Sequence, residues 1–452
     1  MKAVKTVYFL GIGGIGMSAL ARFFKKQGAA VYGYDRTSTP LTAELEREGM
    51  FIHYSEDVSA IPGKPDLVIY TPAIPADNKE YLYFVNSGFE LKKRAEVLGL
   101  LSKEYFTVAV AGTHGKTSIS SMAAHMLKAA GKNLTALIGG ILKNYHSNFI
   151  LSKTTDILLV EADEYDRSFL RLFPDIAVIS SMDADHLDIY GNKEELKNNF
   201  HLFARRLNEK GVLIHHITLK ELEDEAFKTV SYSARDNAGC VAENVRVENG
   251  NFVFDLKYGE VAIKSITLSV PGLHYVENAL AAALIGFETG LTPDEIKTGL
   301  ESFEGVQRRF DYRIKSEGLV FIDDYAHHPK ELEVTIEAAK MLYPHKKITG
   351  VFQPHLFSRT NDFADGFATA LDKLDEVILL DIYPAREKPM PGVTSQMILD
   401  RMNSGNKKLM KKNELLNYLG QSSPEVLITL GAGDIGLMLE DIEQVLKDNY
   451  QK

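Results

Sequence analysis

At 452 residues, with 45% of them hydrophobic and 25% charged, the chain is long enough for about three domains that each bury a core. No apolar run approaches the ~18 residues of a membrane span, and a formal net charge of -10 works against non-specific nucleic-acid binding. The single Cys240 excludes an internal disulfide framework and any multi-cysteine metal site. The N-terminus, MKAVKTVYFLGIGG, runs into a strand and a glycine loop rather than a signal peptide. The expectation is a cytoplasmic protein with small-molecule partners, no nucleic acid and no integral membrane segment.

The first hundred residues alternate strand and helix. VYFL (7–10) leads through glycines into an amphipathic run from Met17 to Gln27 that stops at Gly28, and AAVYGYD (29–35) and DLVIY (66–70) read as further buried strands. This βαβ pattern predicts a parallel sheet. A second α/β block starts at FTVAV (106–110) and continues through another glycine loop, a helix to about Ala130, and the strands ILLVE (157–161) and IAVISS (176–181). Residues 244–270 switch to period two around Asn249-Gly250, a hairpin signal that predicts an antiparallel insert. After a helical stretch to about Phe303, a third block carries strands at LVFID (319–323), ITGVFQ (348–353), EVILLD (376–381) and VLITLG (426–431). The expected division is into α/β domains at 1–104, 105–308 and 309–452.

Gly11, Gly13 and Gly16 form G-x-G-x-x-G between a strand and a helix, with Gly14 and Met17 in the same turn, and Asp35 closes the next strand 19 residues after Gly16. That spacing lets backbone amides and a helix N-terminus face a pyrophosphate while a carboxylate reaches a ribose hydroxyl. From the motif alone a dinucleotide, another nucleoside diphosphate such as a UDP-sugar, and a structural tight turn all stay open.

The second loop, Gly112-Thr113-His114-Gly115-Lys116-Thr117-Ser118, lacks the first glycine of a full P-loop because residue 110 is Val. It keeps amides that cradle phosphates, an ammonium for β/γ oxygens and a hydroxyl for Mg²⁺, which points to an ATP-type triphosphate. Glu161 ends one apolar strand and opens EADEYDRSF, while the next strand runs into SMDADHLDIYG with Asp185 and His186. Carboxylates with one imidazole at strand C-terminal ends suit Mg²⁺ or Mn²⁺ better than Zn²⁺. Other residues have plainer readings: His327-His328 before Pro329 as the first turn of a helix, Arg308-Arg309 as a solvated pair, and GAGDIG (431–436) as a strand-to-helix turn with Asp434 near the helix start.

Taken together, GIGGIGMSALA, AGTHGKTS, EADEYDRSF, DADHLDIYG, PGLHYVENALAA, GVQRRFD, DDYAHHPKE and FQPHLFSRT resemble the Mur ligases over residues 11–360. The resemblance implies a Rossmann-like UDP-binding N-terminal domain, a P-loop-type ATPase centre with an antiparallel β insert, and a Rossmann-like C-terminal domain that closes over both. It implies an ATP-dependent ligase joining L-alanine to the carboxylate of UDP-N-acetylmuramate through an acyl phosphate, as a monomer or weak homodimer. GIGGIGM favours that activity over attachment of an intact murein tripeptide. An NAD(P)-dependent oxidoreductase built on the first loop is the reading from another class, and it leaves Lys116, Glu161 and His186 without a task.

By motif match, Lys116 would stabilise the β/γ oxygens, Thr117 and Glu161 would hold one Mg²⁺, and His186 a second. Gly112, Thr113, His114, Gly115 and Ser118 would line the ATP site, with Asn278 on the adenine and Arg309 and Asp324 on the closing side. Tyr325, His327, His328, His355 and Arg359 would line the pocket for alanine and the acyl phosphate, with His328 and Arg359 counted as catalytic. Gly11, Gly13, Gly14, Gly16, Met17, Asp35, Thr71, Asn78 and Arg94 would hold the UDP-sugar. Four positions depart from the family pattern: Tyr275, where Asn is usual; Leu356, where many relatives place Arg; Tyr165, in place of a common Ser; and Ala326, in place of a common Gly.

Overall fold

The computed structural model describes residues 4–183, 187–223, 227–385 and 387–450. The chain forms two compact units, one of Met1–Asn244, Phe254–Ile266 and Glu277–Phe303, the other of Val245–Val253, Thr267–Val276 and Glu304–Lys452. Among the described residues, no helix is long and apolar enough to cross a membrane.

The first unit begins with an all-parallel sheet of β1 (Thr6–Leu10), β2 (Ala30–Tyr34), β3 (Phe51–His53), β4 (Leu67–Tyr70) and β5 (Leu91–Lys93), in the order β3-β2-β1-β4-β5. The near-continuous apolar run of β1 suits a strand covered on both faces. Because the order reverses at β1, the loop leaving its C-terminal end opens into the crevice where such sheets bind ligands. Helix α1 (Ile15–Lys26) follows that loop, and Gly28 ends it with φ +89°, the left-handed stop a glycine supplies.

The second sheet contains β6 (Phe106–Ala111), β7 (Leu134–Leu142), β8 (Ser147–Leu151), β9 (Ile157–Glu161), β10 (Ile176–Ile179), β11 (Val212–His216), β12 (Lys228–Ser233), β13 (Cys240–Glu248), β14 (Asn251–Tyr258) and β15 (Val261–Leu268). Its order is β15-β14-β13-β12-β11-β10-β6-β9-β7-β8. β6 pairs in parallel with β10 on one side and β9 on the other, so a second switch point lies at the end of β6, where the second glycine loop begins. Asn249 (φ +51°) and Gly250 (φ +74°) form the two-residue turn between β13 and β14 that the period-two pattern predicts. In the core of this unit, Phe169 stacks on Phe203 with centroids 5.0 Å apart and meets Phe200 edge-on at 5.2 Å.

The second unit carries β16 (Asp311–Lys315), β17 (Val320–Asp324), β18 (Ile348–Phe352), β19 (Glu376–Leu379), β20 (Lys407–Leu409) and β21 (Val426–Leu430), in the order β16-β17-β21-β18-β19-β20. Only β16 is antiparallel, so the ends of β17, β18 and β21 share one edge.

All three rings of the Phe169 cluster are fully buried. Phe169→Ala should therefore cost about 3–5 kcal/mol, read as a lower urea midpoint; an unchanged midpoint would show that these rings do not carry the core.

Candidate active site

The first glycine loop leaves β1 with Gly11 at φ +86°. Gly13 N donates to Asp35 Oδ2 at 2.8 Å, so the carboxylate at the end of β2 grips the loop directly. A side chain at three positions would force its neighbours to shift: a Cβ on Gly11 would lie 2.6 Å from Thr71 Cγ2, on Gly13 2.8 Å from Asp35 Oδ2, and on Gly16 2.5 Å from Arg94 Nη1. Arg94 opens helix α2 (Arg94–Ser102), and its Nη2 lies 3.4 Å from Asp163 Oδ2. Asn78 is placed differently: it is buried, and its Oδ1 caps helix Lys79–Asn86 by accepting from Glu80 N and Tyr81 N.

In the second loop Gly112 has φ +136° and Gly115 φ +82°, and helix α3 (Lys116–Ala129) starts immediately after. Ser180 Oγ donates to His114 O, and Ser181 Oγ accepts from His114 N at 2.8 Å and lies 2.8 Å from Thr113 Oγ1. Lys116 Nζ donates to Gly112 O at 2.6 Å and to both carboxylate oxygens of Glu164. Burial alone would lower its pKa, but the Glu164, Asp163 and Glu161 carboxylates reverse that and hold the ammonium above the usual lysine range. Thr117 Oγ1 lies 3.1 Å from each oxygen of Glu161, whose Oε2 also accepts from Gly139 N at 2.9 Å. A Cβ on Gly115 would lie 2.9 Å from Asn278 Oδ1, which places that buried carboxamide against the loop.

Between the first loop and the C-terminal ends of β7 and β9 is a cavity of about 230 Å³. Gly14, Gly16 and Met17 of the first loop line one side; Gly139, Glu161 and Asp163 line the other. Thr71 and Arg94 also face it. His186, with Asp185, lies outside the described residues. Among the described residues, no three His, Cys, Asp or Glu side chains converge as a metal-binding group.

In the second unit, Asp324 ends β17 with its carboxylate accepting from Phe310 N at 2.7 Å and Ala326 N at 2.8 Å. Burial pushes its pKa up to about 6, against the lowering pull of Arg309. Arg308 and Arg309 both sit over the Tyr325 ring, at 5.0 and 5.2 Å, and Arg308 binds Asp323 and Gly431 O; neither is a loosely solvated charge. His327 Nδ1 lies 2.9 Å from Tyr325 O and its ring 6.1 Å from that of His355, while Arg359 Nη1 lies 3.4 Å from His355 Nδ1. His328 caps helix Pro329–Leu342 and packs edge-on against Phe363. Burial, reinforced by the Arg309 charge, holds the His274 pKa down to about 4.

Family descriptions match in chain order: the Mur ligase family catalytic domain over residues 6–106, the Mur ligase middle domain over 110–286, and the Mur ligase glutamate ligase domain over 308–433. The chain belongs to the Mur ligase family. It is 48% identical to a UDP-N-acetylmuramate–L-alanine ligase from Flavobacterium johnsoniae and 47% identical to one from Flavobacterium psychrophilum, with 99% of each chain covered in both cases. The crystal structure of a UDP-N-acetylmuramate-alanine ligase from Thermotoga maritima matches with a TM-score of 0.82 at 28% identity, over 99% of each chain.

Among the residues of this Mur ligase that touch the site without having been singled out from sequence are Glu164 on Lys116 and Asp163 on Arg94. Their signal was the run EADE itself, since a buried lysine requires a counter-ion. The one cysteine is inert: Cys240 is fully buried, and burial pushes its thiol up to about 12.

A histidine whose pKa is lowered on folding adds stability above its unfolded pKa, and that contribution is lost as pH falls toward the folded value. His274→Gln should thus lose less stability than the wild type between pH 6.5 and 4, by about 2 kcal/mol after allowance for solvent screening. Parallel urea titrations at the two pH values measure it; equal losses would place His274 in an ordinary aqueous setting.

Proposed function

We propose that this Mur ligase joins L-alanine to the muramoyl carboxylate of UDP-N-acetylmuramate at the expense of ATP, releasing ADP and phosphate, in the cytoplasm. The observation that carries the reading is the cavity in which the first glycine loop faces Glu161, the carboxylate that Thr117 of the second loop contacts. Full-length identity to the alanine ligases of the two Flavobacterium species supports the choice of amino acid. In working terms, residues 1–104 hold the UDP-sugar, 105–308 the ATP, and 309–452 the amino acid and the closing face.

The muramoyl carboxylate oxygen attacks the γ-phosphorus in line, and the bond to the ADP oxygen breaks. The deprotonated amine of alanine then attacks the acyl carbon of the resulting acyl phosphate, and the carbon–oxygen bond electrons leave with phosphate. Gly112 to Ser118 orient the triphosphate through backbone amides and the start of α3, with Lys116 on the β/γ oxygens. Gly11 to Met17, Thr71 and Arg94 hold the UDP-sugar so that its carboxylate enters the cavity. Asn278 faces the adenine, and Arg309 and Asp324 close the ATP site. Tyr325, His327, His328 and His355 shape the alanine pocket, where Arg359 pairs with the amino-acid carboxylate.

The hydroxyl of Thr117 beside the Glu161 carboxylate is an oxygen donor set suited to a hard cation. Thr117 and Glu161 would hold Mg²⁺ or Mn²⁺, with His186 at a second ion and phosphate oxygens and water as further ligands. When bound, the cation supplies charge neutralisation on the transferring phosphate.

Phosphate release should require ATP, UDP-N-acetylmuramate and L-alanine together, and stop in excess EDTA. Supplying the L-Ala-γ-D-Glu-diaminopimelate tripeptide instead of alanine should give no release; release with the tripeptide alone would reassign the chain to peptide recycling. Lys116→Ala should lose at least about 100-fold in turnover, as for loss of a group that stabilises transition-state charge. Wild-type turnover in that variant would sink the assignment of the second loop.

A further inference from the structure

Lys116 has no donor to spare in this structure. An ammonium carries three N–H donors, and Nζ lies 2.6 Å from Gly112 O, 2.9 Å from Glu164 Oε1 and 2.7 Å from Glu164 Oε2. Glu164 is 1% exposed and Lys116 15%, so water screens the pair little. The segment bearing Glu164 is held in place, since Glu164 O accepts from Tyr190 Oη at 2.5 Å and from Arg167 N at 2.9 Å. A phosphate arriving at the loop therefore meets an ammonium already committed to a carboxylate.

We propose that Glu164 is the resting counter-ion of the phosphate-binding lysine, and that nucleotide binds by exchange, its β/γ-phosphate oxygens taking the donors that Glu164 gives up. The inference rests on the ATP-dependent reading of the second loop. Glu164 is on this account a positioning residue. It keeps Nζ at the loop mouth beside Gly112 O, and it sets a threshold that a polyphosphate passes more readily than a single carboxylate, because several charged oxygens replace the two that are lost.

The test is ATP binding to the full chain by calorimetry in EDTA, where no turnover occurs, for Glu164→Gln and Glu164→Asp in the wild-type and Lys116→Met backgrounds. Glu164→Gln should bind roughly tenfold more tightly than wild type, the loss of one charge-assisted contact to be displaced. Glu164→Asp keeps the charge but is one methylene too short for both contacts, so it should fall between the two; it also carries the test if the glutamine variant does not fold. In the Lys116→Met background the Glu164→Gln gain should shrink to under about twofold. An equal gain in both backgrounds would mean simple repulsion of the nucleotide and would overturn exchange, as would unchanged affinity in both Glu164 variants. Failure of wild type to bind ATP with or without Mg²⁺ would remove the ATP reading itself, and the exchange with it.

Discussion

One buried carboxamide fixes the relation between the two glycine loops. Asn148 on β8 is fully buried, with Nδ2 donating to Ile15 O at 2.6 Å and to Ser18 Oγ at 3.0 Å, while Oδ1 accepts from Arg22 Nη1 at 2.5 Å. The first turn of α1, whose N-terminus serves the first loop, is thereby tied to the sheet that carries the second. Arg22 extends the tie to Glu48 through Nε and Nη2. Each buried polar group here would cost about 1–3 kcal/mol if left unpaired, so sliding α1 along the sheet breaks several contacts at once. The cavity between the first loop and the ends of β7 and β9 has a defined width for this reason, as an in-line transfer between two bound substrates demands.

The elements that could be read from sequence are those whose side chains alone determine them. VYFL, ILLVE and VLITLG are unbroken apolar runs between turn signals, and they became β1, β9 and β21. The three-residue strands β3, β5 and β20 carry no comparable pattern: Phe51 is exposed, and LKK and KKL are mostly charged. They are strands because a neighbouring backbone offers hydrogen bonds, which is information held by the fold. The β7–β8 hairpin was hidden by Gly139-Gly140 within β7 and by the polar, buried Asn148. The same limit applies at the site. Glu161 ends a strand and so has a legible direction, but beyond it the chain turns irregularly, with Asp166 and Arg167 both at φ +55°, and spacing no longer tells which carboxylate faces which cation.

Two of the departures from the family pattern, Tyr275 and Leu356, have structural partners in the second unit. Tyr275 donates its hydroxyl to Arg309 O at 3.0 Å, so it braces the arginine assigned to the closing face rather than leaving a gap beside His274. Leu356 sits at φ +70°, an unfavourable conformation for a branched side chain that costs on the order of 1–3 kcal/mol. Leu356 N donates to Tyr383 O at 2.9 Å, and Leu356 O accepts from Thr360 Oγ1 at 2.7 Å. These contacts hold the turn that sets His355 against Tyr383, with ring centroids 5.8 Å apart. The strain is thus located between two residues assigned to the alanine pocket, His355 and Arg359.

A net charge of -10 is at first sight a poor starting point for a protein that gathers a diphosphate, a triphosphate and two carboxylates. The local arrangement resolves this, because the cations near the loops are matched in place by carboxylates of one short segment: Asp163 for Arg94, Glu164 for Lys116 and Asp166 for Lys93. Fixed cations left bare in a cleft would attract any cellular anion, whereas paired ones favour ligands that can replace their partners with equal or better geometry. The pairings are not equivalent. Lys116 is held by two short contacts and Arg94 by one at 3.4 Å, so the guanidinium facing the cavity yields to an incoming anion more easily than the ammonium at the loop. Selectivity among anions then follows from how firmly each cation is held before the ligand arrives, and not from the sign of the protein's total charge.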